Sequence, residues 1–335
     1  MRPIVLPPNG IPRFYRGGPG IAALRGTPPE GDRVPEDWVG SMTTVFGDES
    51  LGLSRLPDGT ILRDAATADP VAFFGPAHAA QRGADPGLLV KLLDAGERLP
   101  VHVHPDDAFA RAELGTPYGK TEAWVVIEAA PGANVGVGFR DDLSHDTLER
   151  WVRDQNVEAM LGSLNRVDVR PGDAIFVPAG VAHAIGAGVL IVELQEPTDL
   201  SVLLEWQGFA DPDGDEATLG LGWDTAIRCV QLERSDPSKL VNEGHSGHSL
   251  LPRSADGFFR AERVESRSSA GLERGFAILV VTEGDGALAC DDGEPLPVRR
   301  GDSVLLPWSA GHCRLDGDLV ALACRPPGPV EEAAA

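Results

Sequence analysis

The chain has 335 residues, of which 42% are hydrophobic and 24% are charged, as is usual for a soluble globular protein of one or two domains. Its formal net charge of -22 argues against binding to nucleic acid or to an anionic membrane, because both require basic surfaces. The 40 glycines and 28 prolines indicate many turns between short strands. We therefore expect a mostly-β protein whose partners include neither nucleic acid nor membrane.

The cellular location and the state of the cysteines can also be predicted. The N-terminal apolar run is too short for a signal peptide, and no stretch of about 18 apolar residues could cross a membrane. The four cysteines, Cys229, Cys290, Cys313 and Cys324, form no CxxC pair. We expect them to be reduced and mostly buried, although Cys313 and Cys324 could be neighbours on adjacent strands. These features predict a cytoplasmic enzyme.

The first part of the chain is predicted to be turn-rich up to about residue 85, with a strand at 38–45 and a short helix that begins near Asp69. Strand signals then become dense, at 88–95, 99–104, 123–128 and 135–139. In the second of these, Leu99, Val101 and Val103 alternate with two histidines, the period-two pattern of a strand with two distinct faces.

A helical insert is predicted at about 142–164, because apolar residues recur there at helical spacing and Ser144 or Asp146 could cap its start. Strands resume at 167–169, 174–178 and 189–195. The segment 207–252 is mixed and includes a Gly/Ser loop with His245 and His248, which we expect to be solvated.

The C-terminal part, 258–326, returns to strands and contains an echo of an earlier segment. Residues 300–312 imitate 171–183, since both have Gly-Asp, four mostly apolar residues, proline, a turn and a histidine. This echo predicts two copies of one barrel unit, the second degraded. We expect residues 1–206 to form an N-terminal segment with a metal-binding barrel and 207–335 a linker with the degenerate barrel. His312 has no HxH partner and is predicted to be structural.

Four residues form a candidate metal site. His102 and His104 stand at i and i+2 of a predicted strand and so point to the same face. His183 follows the turn after a second strand, and Glu122 begins a third. Three imidazoles and one carboxylate suit zinc, iron, manganese or a similar divalent ion.

These motifs, HxH, a later glutamate and GDxxxxPxGxxH, resemble the cupin superfamily. The segments 89–95, 101–107, 119–124 and 177–186, in this order, look like the type I mannose-6-phosphate isomerases, most of all the short bacterial forms. The likeness is strong over 88–199 and weak over 1–60 and 205–335. It implies two cupin (jelly-roll) β-barrels with a small helical insert, the second barrel being degenerate.

The resemblance also implies functional residues. It places metal ligands at His104, Glu122 and His183, while His102 stands where the family usually has glutamine. One divalent ion is implied, with zinc favoured and manganese, iron or cobalt as alternatives. Lys120, Glu193 and Asp199 match positions to which the family assigns catalytic roles. Leu203, however, occupies the position of a family arginine that is thought to act in catalysis or in phosphate recognition, so the chain is predicted to be an atypical member.

Several candidate site residues could also have a purely structural role. Glu193 lies within an apolar strand and should face a cavity or a partner. Lys91 could line the barrel or be exposed. Asp199 could have no role beyond capping a turn, and Lys120 taken alone could be a surface lysine. Glu122 could simply start a strand, although its position two residues after Lys120 favours ligation.

The predicted function is metal-dependent isomerisation of an aldose to a ketose, mannose 6-phosphate to fructose 6-phosphate or a related sugar, through an enediol. Such a reaction needs a cation to stabilise the developing oxyanion and a base to move the carbon-bound proton. The alternatives are an isomerase of an unphosphorylated sugar, a cupin oxygenase or other metalloenzyme, and a sugar-binding protein without isomerase activity. The expected partner is a small sugar or sugar phosphate, and the expected state a monomer or homodimer.

Overall fold

The structure is a computed structural model that describes residues 1–28, 31–211, 215–242, 249–291 and 293–328. In these residues the chain is mostly β, as predicted, with strands that far outnumber its short helices. The predicted loop with His245 and His248 lies outside the described residues.

The strands of the described residues are numbered in chain order. They are β1 Ile4–Val5, β2 Gly10–Ile11, β3 Glu36–Val39, β4 Leu89–Ala95, β5 Glu122–Ala129, β6 Asn134–Phe139, β7 Leu164–Asp168, β8 Ala174–Val177, β9 His183–Ile185, β10 Val189–Gln195, β11 Val241–Asn242, β12 Arg260–Ser266, β13 Ser269–Leu272, β14 Ala277–Cys290, β15 Leu296–Arg299, β16 Ser303–Leu306 and β17 Cys313–Arg325.

The helices are short. They are α1 Gly20–Arg25, α2 Leu62–Ala68, α3 Pro70–Phe74, α4 Pro76–Arg82, α5 Asp107–Phe109, α6 His145–Asp154, α7 Val157–Ser163 and α8 Trp223–Ala226. The predicted insert consists of α6 and α7, and Ser144 caps it, because its side chain accepts a hydrogen bond from the Thr147 amide at 3.2 Å. The helix predicted near Asp69 is α3, with that residue as its N-cap.

Three antiparallel sheets hold these strands together. The site sheet has the order β11-β8-β5-β10-β4-β3-β2, and the short sheet has the order β7-β6-β9. The C-terminal sheet has the order β1-β16-β14-β17-β12, with β13 on β17 and β15 on β14. The N-terminal strand β1 thus pairs with a C-terminal strand, and β11 returns to the site sheet. The division of the chain at residue 206 stays a prediction.

The site sheet is buried on both faces. Val90 and Leu92 of β4 share a hydrophobic cluster with Ile278 of the C-terminal sheet, whereas Leu93 belongs to a separate cluster with strands of the short sheet. Successive residues of a strand point to opposite faces, so Lys91 lies on the side of Leu93. Every residue of β4 and of β10 is buried. Any charged side chain on these two strands must therefore find its partners inside the protein.

The strand predicted at 99–104 is not continuous. His102 forms only an isolated bridge, with His183, through two backbone hydrogen bonds of 3.0 and 2.9 Å. Pro100, within this segment, and Pro105, directly after it, lack the N–H groups that a longer ladder would need. The alternation of side chains is nevertheless kept at the two histidines.

The prediction of four reduced cysteines is wrong for two of them. Cys290 of β14 stands opposite Cys313 of β17 in the register of the C-terminal sheet, and the two form a disulfide. Cys324 lies on the same strand as Cys313, so these two are not cross-strand neighbours. Cys229 and Cys324 are free.

No helix of the described residues is long and apolar enough to cross a membrane.

Because Cys290 and Cys313 are bonded to each other, alkylation of the protein unfolded without reductant should modify only Cys229 and Cys324. Peptide mapping should recover Cys290 and Cys313 as one linked pair. The same protein unfolded with reductant is the control and should be modified at all four positions. Modification of all four without reductant would contradict the pairing.

Candidate metal centre and active-site cavity

The metal centre lies where segments 99–104 and 178–183 meet the end of β5. The backbones of His102 and His183 are hydrogen-bonded to each other, and the Gly180 amide donates to the His104 carbonyl at 2.8 Å. All three histidines are buried, with ring nitrogens within 4.8 Å of one another. The sequence prediction that these imidazoles converge is therefore met by the geometry.

The hydrogen bonds of the three rings settle which nitrogen carries the proton. In every ring Nδ1 contacts a backbone carbonyl. The contacts are from His102 to Pro100 at 2.8 Å, from His104 to Leu200 at 2.7 Å and from His183 to Val181 at 2.8 Å. Because a carbonyl oxygen can only accept, Nδ1 is the donor, and Nε2 keeps its lone pair. This is the arrangement by which metal-binding histidines are oriented.

Glu122 brings a carboxylate to two of these lone pairs. Its oxygens lie 3.1 Å from Nε2 of His104 and 3.2 Å from Nε2 of His183. The Trp124 indole, two residues along the same face of β5, donates to the carboxylate at 3.0 Å and fixes its orientation. The Nε2 lone pair of His183 thus faces a carboxylate oxygen with no donor between them, which is unfavourable unless a cation lies there.

Two further observations show that the residues fit a metal ion. Burial lowers the pKa of His102 well below its usual range, and burial together with Lys120 lowers the pKa of His104 to about 3, so both rings are neutral near pH 7. His183 Nε2 is buried without a hydrogen-bond partner, which normally costs about 1–3 kcal/mol, and Glu122 Oε2 has only the ion-pair contact of the Lys120 ammonium. Neutral imidazoles and an ionised carboxylate are what a divalent cation needs as ligands.

Lys120 lies between the metal centre and Glu193. Its ammonium group is 3.2 Å from Glu122, 3.1 Å from Nε2 of His104 and 3.9 Å from Glu193. Burial alone would lower its pKa, but Glu122 and Glu193 raise the pKa of Lys120 above its usual value. Lys120 is therefore a buried cation, and the surface-lysine interpretation does not hold.

Glu193 belongs to a row of side chains across four strands of the site sheet. In the register it stands opposite Lys91 on β4 and Trp124 on β5, and Lys91 in turn stands opposite Trp38 on β3. The Lys91 ammonium lies 4.0 Å from Glu193 and 4.8 Å from the centre of the Trp38 ring. Burial raises the pKa of Glu193 to about 8. Lys91 is a lining residue, not an exposed one.

Asp199 is paired with an arginine that the sequence did not bring forward. Arg13 holds it with both terminal nitrogens, at 2.9 and 2.6 Å, and donates from Nε to Glu36 at 3.0 Å. Burial would raise the pKa of Asp199, but Arg13 and Lys91 lower it below its usual value. Asp199 is thus an ionised partner of two buried cations rather than a simple turn cap.

Glu36 is the second residue that sequence reasoning missed. It accepts hydrogen bonds from Tyr15 at 2.5 Å and from Trp38 at 2.6 Å, and it lies 3.5 Å from Lys91. The alternation of Glu36 and Trp38 in a short strand was a usable signal, since a carboxylate on the face of a large aromatic should be buried with a partner. Arg13 had no such signal, because it lies in a turn-rich segment without a periodic pattern.

These groups open onto one cavity of about 430 Å³. The predicted site residues that line it are His102, Lys120, Glu122, Glu193 and Asp199. His104 and His183 complete the metal centre from behind.

Other residues singled out in the sequence lie apart or are apolar. Leu203 lines the cavity and is buried. His312 is exposed, and neither group of possible metal ligands in the described residues includes it.

The substitution His183→Ala should lower zinc affinity at least about 100-fold, because it removes a ligand whose position the backbone fixes. Metal content after dialysis, measured by mass spectrometry, checks this. His312→Ala, at an exposed position outside both groups of possible metal ligands in the described residues, is the control and should bind as the unmodified protein does. Unchanged metal content in the His183 variant would rule out this site.

The substitution Glu36→Gln should cost roughly 3–5 kcal/mol of unfolding free energy at pH 7, because it removes a buried carboxylate that contacts two buried cations, Arg13 and Lys91. Although burial opposes it, Arg13 and Lys91 hold the pKa of Glu36 far below its ordinary value of 4.5. Its contribution is therefore present above pH 4.5 and is lost as pH falls below that value.

The difference in stability between the Glu36→Gln variant and the unmodified protein should thus narrow in acid, as urea unfolding at several pH values would measure. Glu49→Gln, at an exposed position, is the control and should match the unmodified protein. A difference that stayed constant with pH would contradict the ion-pair assignment.

Comparison with known proteins relates the whole arrangement to one family. No family model matches the chain. The mannose-6-phosphate isomerase ManA of Bacillus subtilis is 30% identical over 234 residues, which is 69% of this chain and 72% of that protein. The mannose-6-phosphate isomerase of Streptococcus mutans is 29% identical over 239 residues, 70% of this chain and 73% of that protein.

Solved structures agree in fold. The crystal structure of the Bacillus subtilis mannose 6-phosphate isomerase matches with a TM-score of 0.78 at 23% identity, over 97% of this chain and 100% of that chain. A variant of the Salmonella typhimurium phosphomannose isomerase matches with a TM-score of 0.75 at 17% identity, over 97% and 100% of the two chains. The predicted cupin fold is thus confirmed. Because the Bacillus subtilis relative is 30% identical over most of both chains, this chain belongs to the mannose-6-phosphate isomerase family.

Proposed function

We propose that this chain is a metal-dependent aldose–ketose isomerase whose substrate is mannose 6-phosphate or a closely related aldose and whose product is the corresponding ketose. One observation carries the proposal: a buried three-histidine cluster lies at the same cavity as Lys120 and Glu193, whose charged groups are 3.9 Å apart. Family membership supports the same reaction.

The cofactor in this proposal is one zinc ion held by His102, His104, His183 and Glu122. Three nitrogens and one oxygen are an accepted zinc ligand set, although manganese, iron or cobalt could use it as well. When bound, the ion would polarise the sugar carbonyl and stabilise negative charge on the enediol oxygen.

Glu193 is the proposed carrier of the carbon-bound proton. Isomerisation removes the proton from C2 of the aldose and returns a proton to C1, while the hydroxyl proton on O2 leaves and O1 gains one. A pKa of about 8 lets Glu193 both accept and give up a proton near neutral pH. Its carboxyl lines the cavity and lies among buried groups that exclude bulk water.

Lys120 and Asp199 are proposed to act on either side of this step. As a buried ammonium, Lys120 can donate a hydrogen bond to a sugar oxygen on which negative charge develops. Asp199 is held by Arg13 in a fixed, ionised state and can accept hydrogen bonds from sugar hydroxyls. In this role Asp199 positions the substrate beside Glu193.

The substitution Glu193→Gln should lower kcat by about 10²–10⁴-fold, because an amide cannot take up the proton, while KM changes little. Steady-state kinetics with metal-loaded protein measures both. Glu149→Gln, at an exposed position of α6, is the control. A Glu193 variant with full turnover would remove Glu193 from the mechanism.

The proposed activity is tested by incubation of zinc-loaded protein with a panel of free and 6-phosphorylated aldoses in deuterated water. Deuterium at C1 or C2, followed by NMR, identifies an isomerase. Saturable sugar binding without exchange would instead indicate a sugar-binding protein, and oxygen consumption with turnover would indicate an oxygenase.

A further inference from the structure

The charges that line the cavity do not provide for a phosphate group. Among the described residues, three cationic side chains line it, and each has a carboxylate partner. Arg13 lies 2.6 Å from Asp199, Lys91 lies 3.5 Å from Glu36, and Lys120 lies 3.2 Å from Glu122.

The carboxylates of the cavity lining are more numerous. They are Glu36, Glu122, Glu193, Asp199 and Glu216. Glu216 is exposed, and the four buried carboxylates are enough to pair with all three cations. A metal ion would add positive charge only at the histidines, where the carbonyl end of the sugar reacts.

Arg13 would be the natural ligand for a phosphate, but it is already engaged. Both terminal nitrogens bind Asp199, and Nε binds Glu36. A phosphate that took over this guanidinium would leave Asp199 buried beside it without its main partner. Stranding a buried carboxylate in this way is strongly unfavourable.

The rest of the cavity lining is mainly apolar. Leu93, Leu99, Ile185, Leu203 and Leu219 contribute aliphatic surface. A wall of this kind cannot replace the hydration of a phosphate dianion.

Aromatic side chains add to this apolar surface. Phe14 and Phe209 line the cavity with ring centres 6.0 Å apart, and Phe46, which also lines it, is 49% exposed. Aromatic rings offer broad apolar faces on which the C–H faces of a sugar can pack.

We infer that the substrate of this site is an unphosphorylated aldose. The inference rests on the proposed isomerase function and narrows its substrate class. Sugar hydroxyls are hydrogen-bond donors, so a cavity whose cations are all paired and whose ionised carboxylates can accept hydrogen bonds suits a neutral sugar better than a phosphate. The reacting end would lie at the metal centre beside Lys120 and Glu193, and the C6 end would meet uncharged surface.

The test compares each free aldose with its own 6-phosphate, using zinc-loaded full-length protein in deuterated water and D-mannose, D-glucose and D-allose as substrates. We expect kcat/KM for the preferred free aldose to exceed that of its phosphate ester at least about tenfold. Equal or faster exchange with the ester would overturn the inference and leave the isomerase function standing. Exchange with no aldose would overturn the proposed function instead.

Binding decides the substrate class independently of turnover. D-mannitol and D-mannitol 1-phosphate have no carbonyl group and cannot be isomerised, so calorimetric titration measures affinity alone. We expect mannitol to bind and its phosphate ester to bind at least about tenfold more weakly. Absence of mannitol binding, or an ester that binds as tightly, would overturn the inference.

The substitution Leu203→Arg places an unpaired cation in the apolar wall. It should improve the affinity for mannitol 1-phosphate relative to mannitol by about tenfold or more. Leu203→Met is the matched control and should leave the preference for the neutral alditol unchanged. An arginine variant that folds and keeps the original preference would contradict the role of this wall, and if it fails to fold, the alditol comparison on the unmodified protein still decides.

Discussion

Lys91 and Glu193 face each other on neighbouring strands and are almost fully buried. A buried charge is unfavourable unless an opposite charge lies beside it, and the buried cations Lys91 and Arg13 are neutralised mainly by Glu36 and Asp199, which come from other parts of the chain. Each carboxylate in this cluster depends on a cation from another element. The mutual neutralisation therefore ties the N-terminal segment and β3 to the centre of the site sheet, and it gives the cavity its polar wall.

The metal centre is joined to this cluster through Lys120, which contacts both Glu122 and Glu193. Groups suited to hold a cation and groups suited to move a proton thus share one buried network. The opposite face of the same sheet packs against the C-terminal sheet through one hydrophobic cluster. The C-terminal sheet covers this face of the site sheet and helps to keep β4 and β10 buried.

The sequence was sufficient to predict the site residues whose positions depend on local patterns. The spacing of His102 and His104 and the motifs around Glu122 and His183 predicted the metal centre, because strand periodicity decides which side chains share a face. Glu193 was predictable because a single charge in an apolar strand needs an enclosed partner.

The missing parts depend on tertiary pairing. The contact between Arg13 and Asp199 joins positions 186 apart in the chain, and no local pattern encodes it. The pairing of Cys290 with Cys313 requires the register of two long strands, which the spacing of the cysteines does not reveal. The alternating pattern at 99–104 predicted a continuous strand, but the prolines in and after this segment interrupt it. Proline is a local signal, so this break could have been predicted from the sequence.

We expect three Nε2 lone pairs and one carboxylate to form a single metal site at the wall of the cavity. Anomalous diffraction from crystals of zinc-loaded protein would locate the ion. It should show one strong peak at about 2.0–2.2 Å from Nε2 of His102, His104 and His183 and from a carboxylate oxygen of Glu122. A peak bound elsewhere, or no peak among these four side chains, would contradict this expectation.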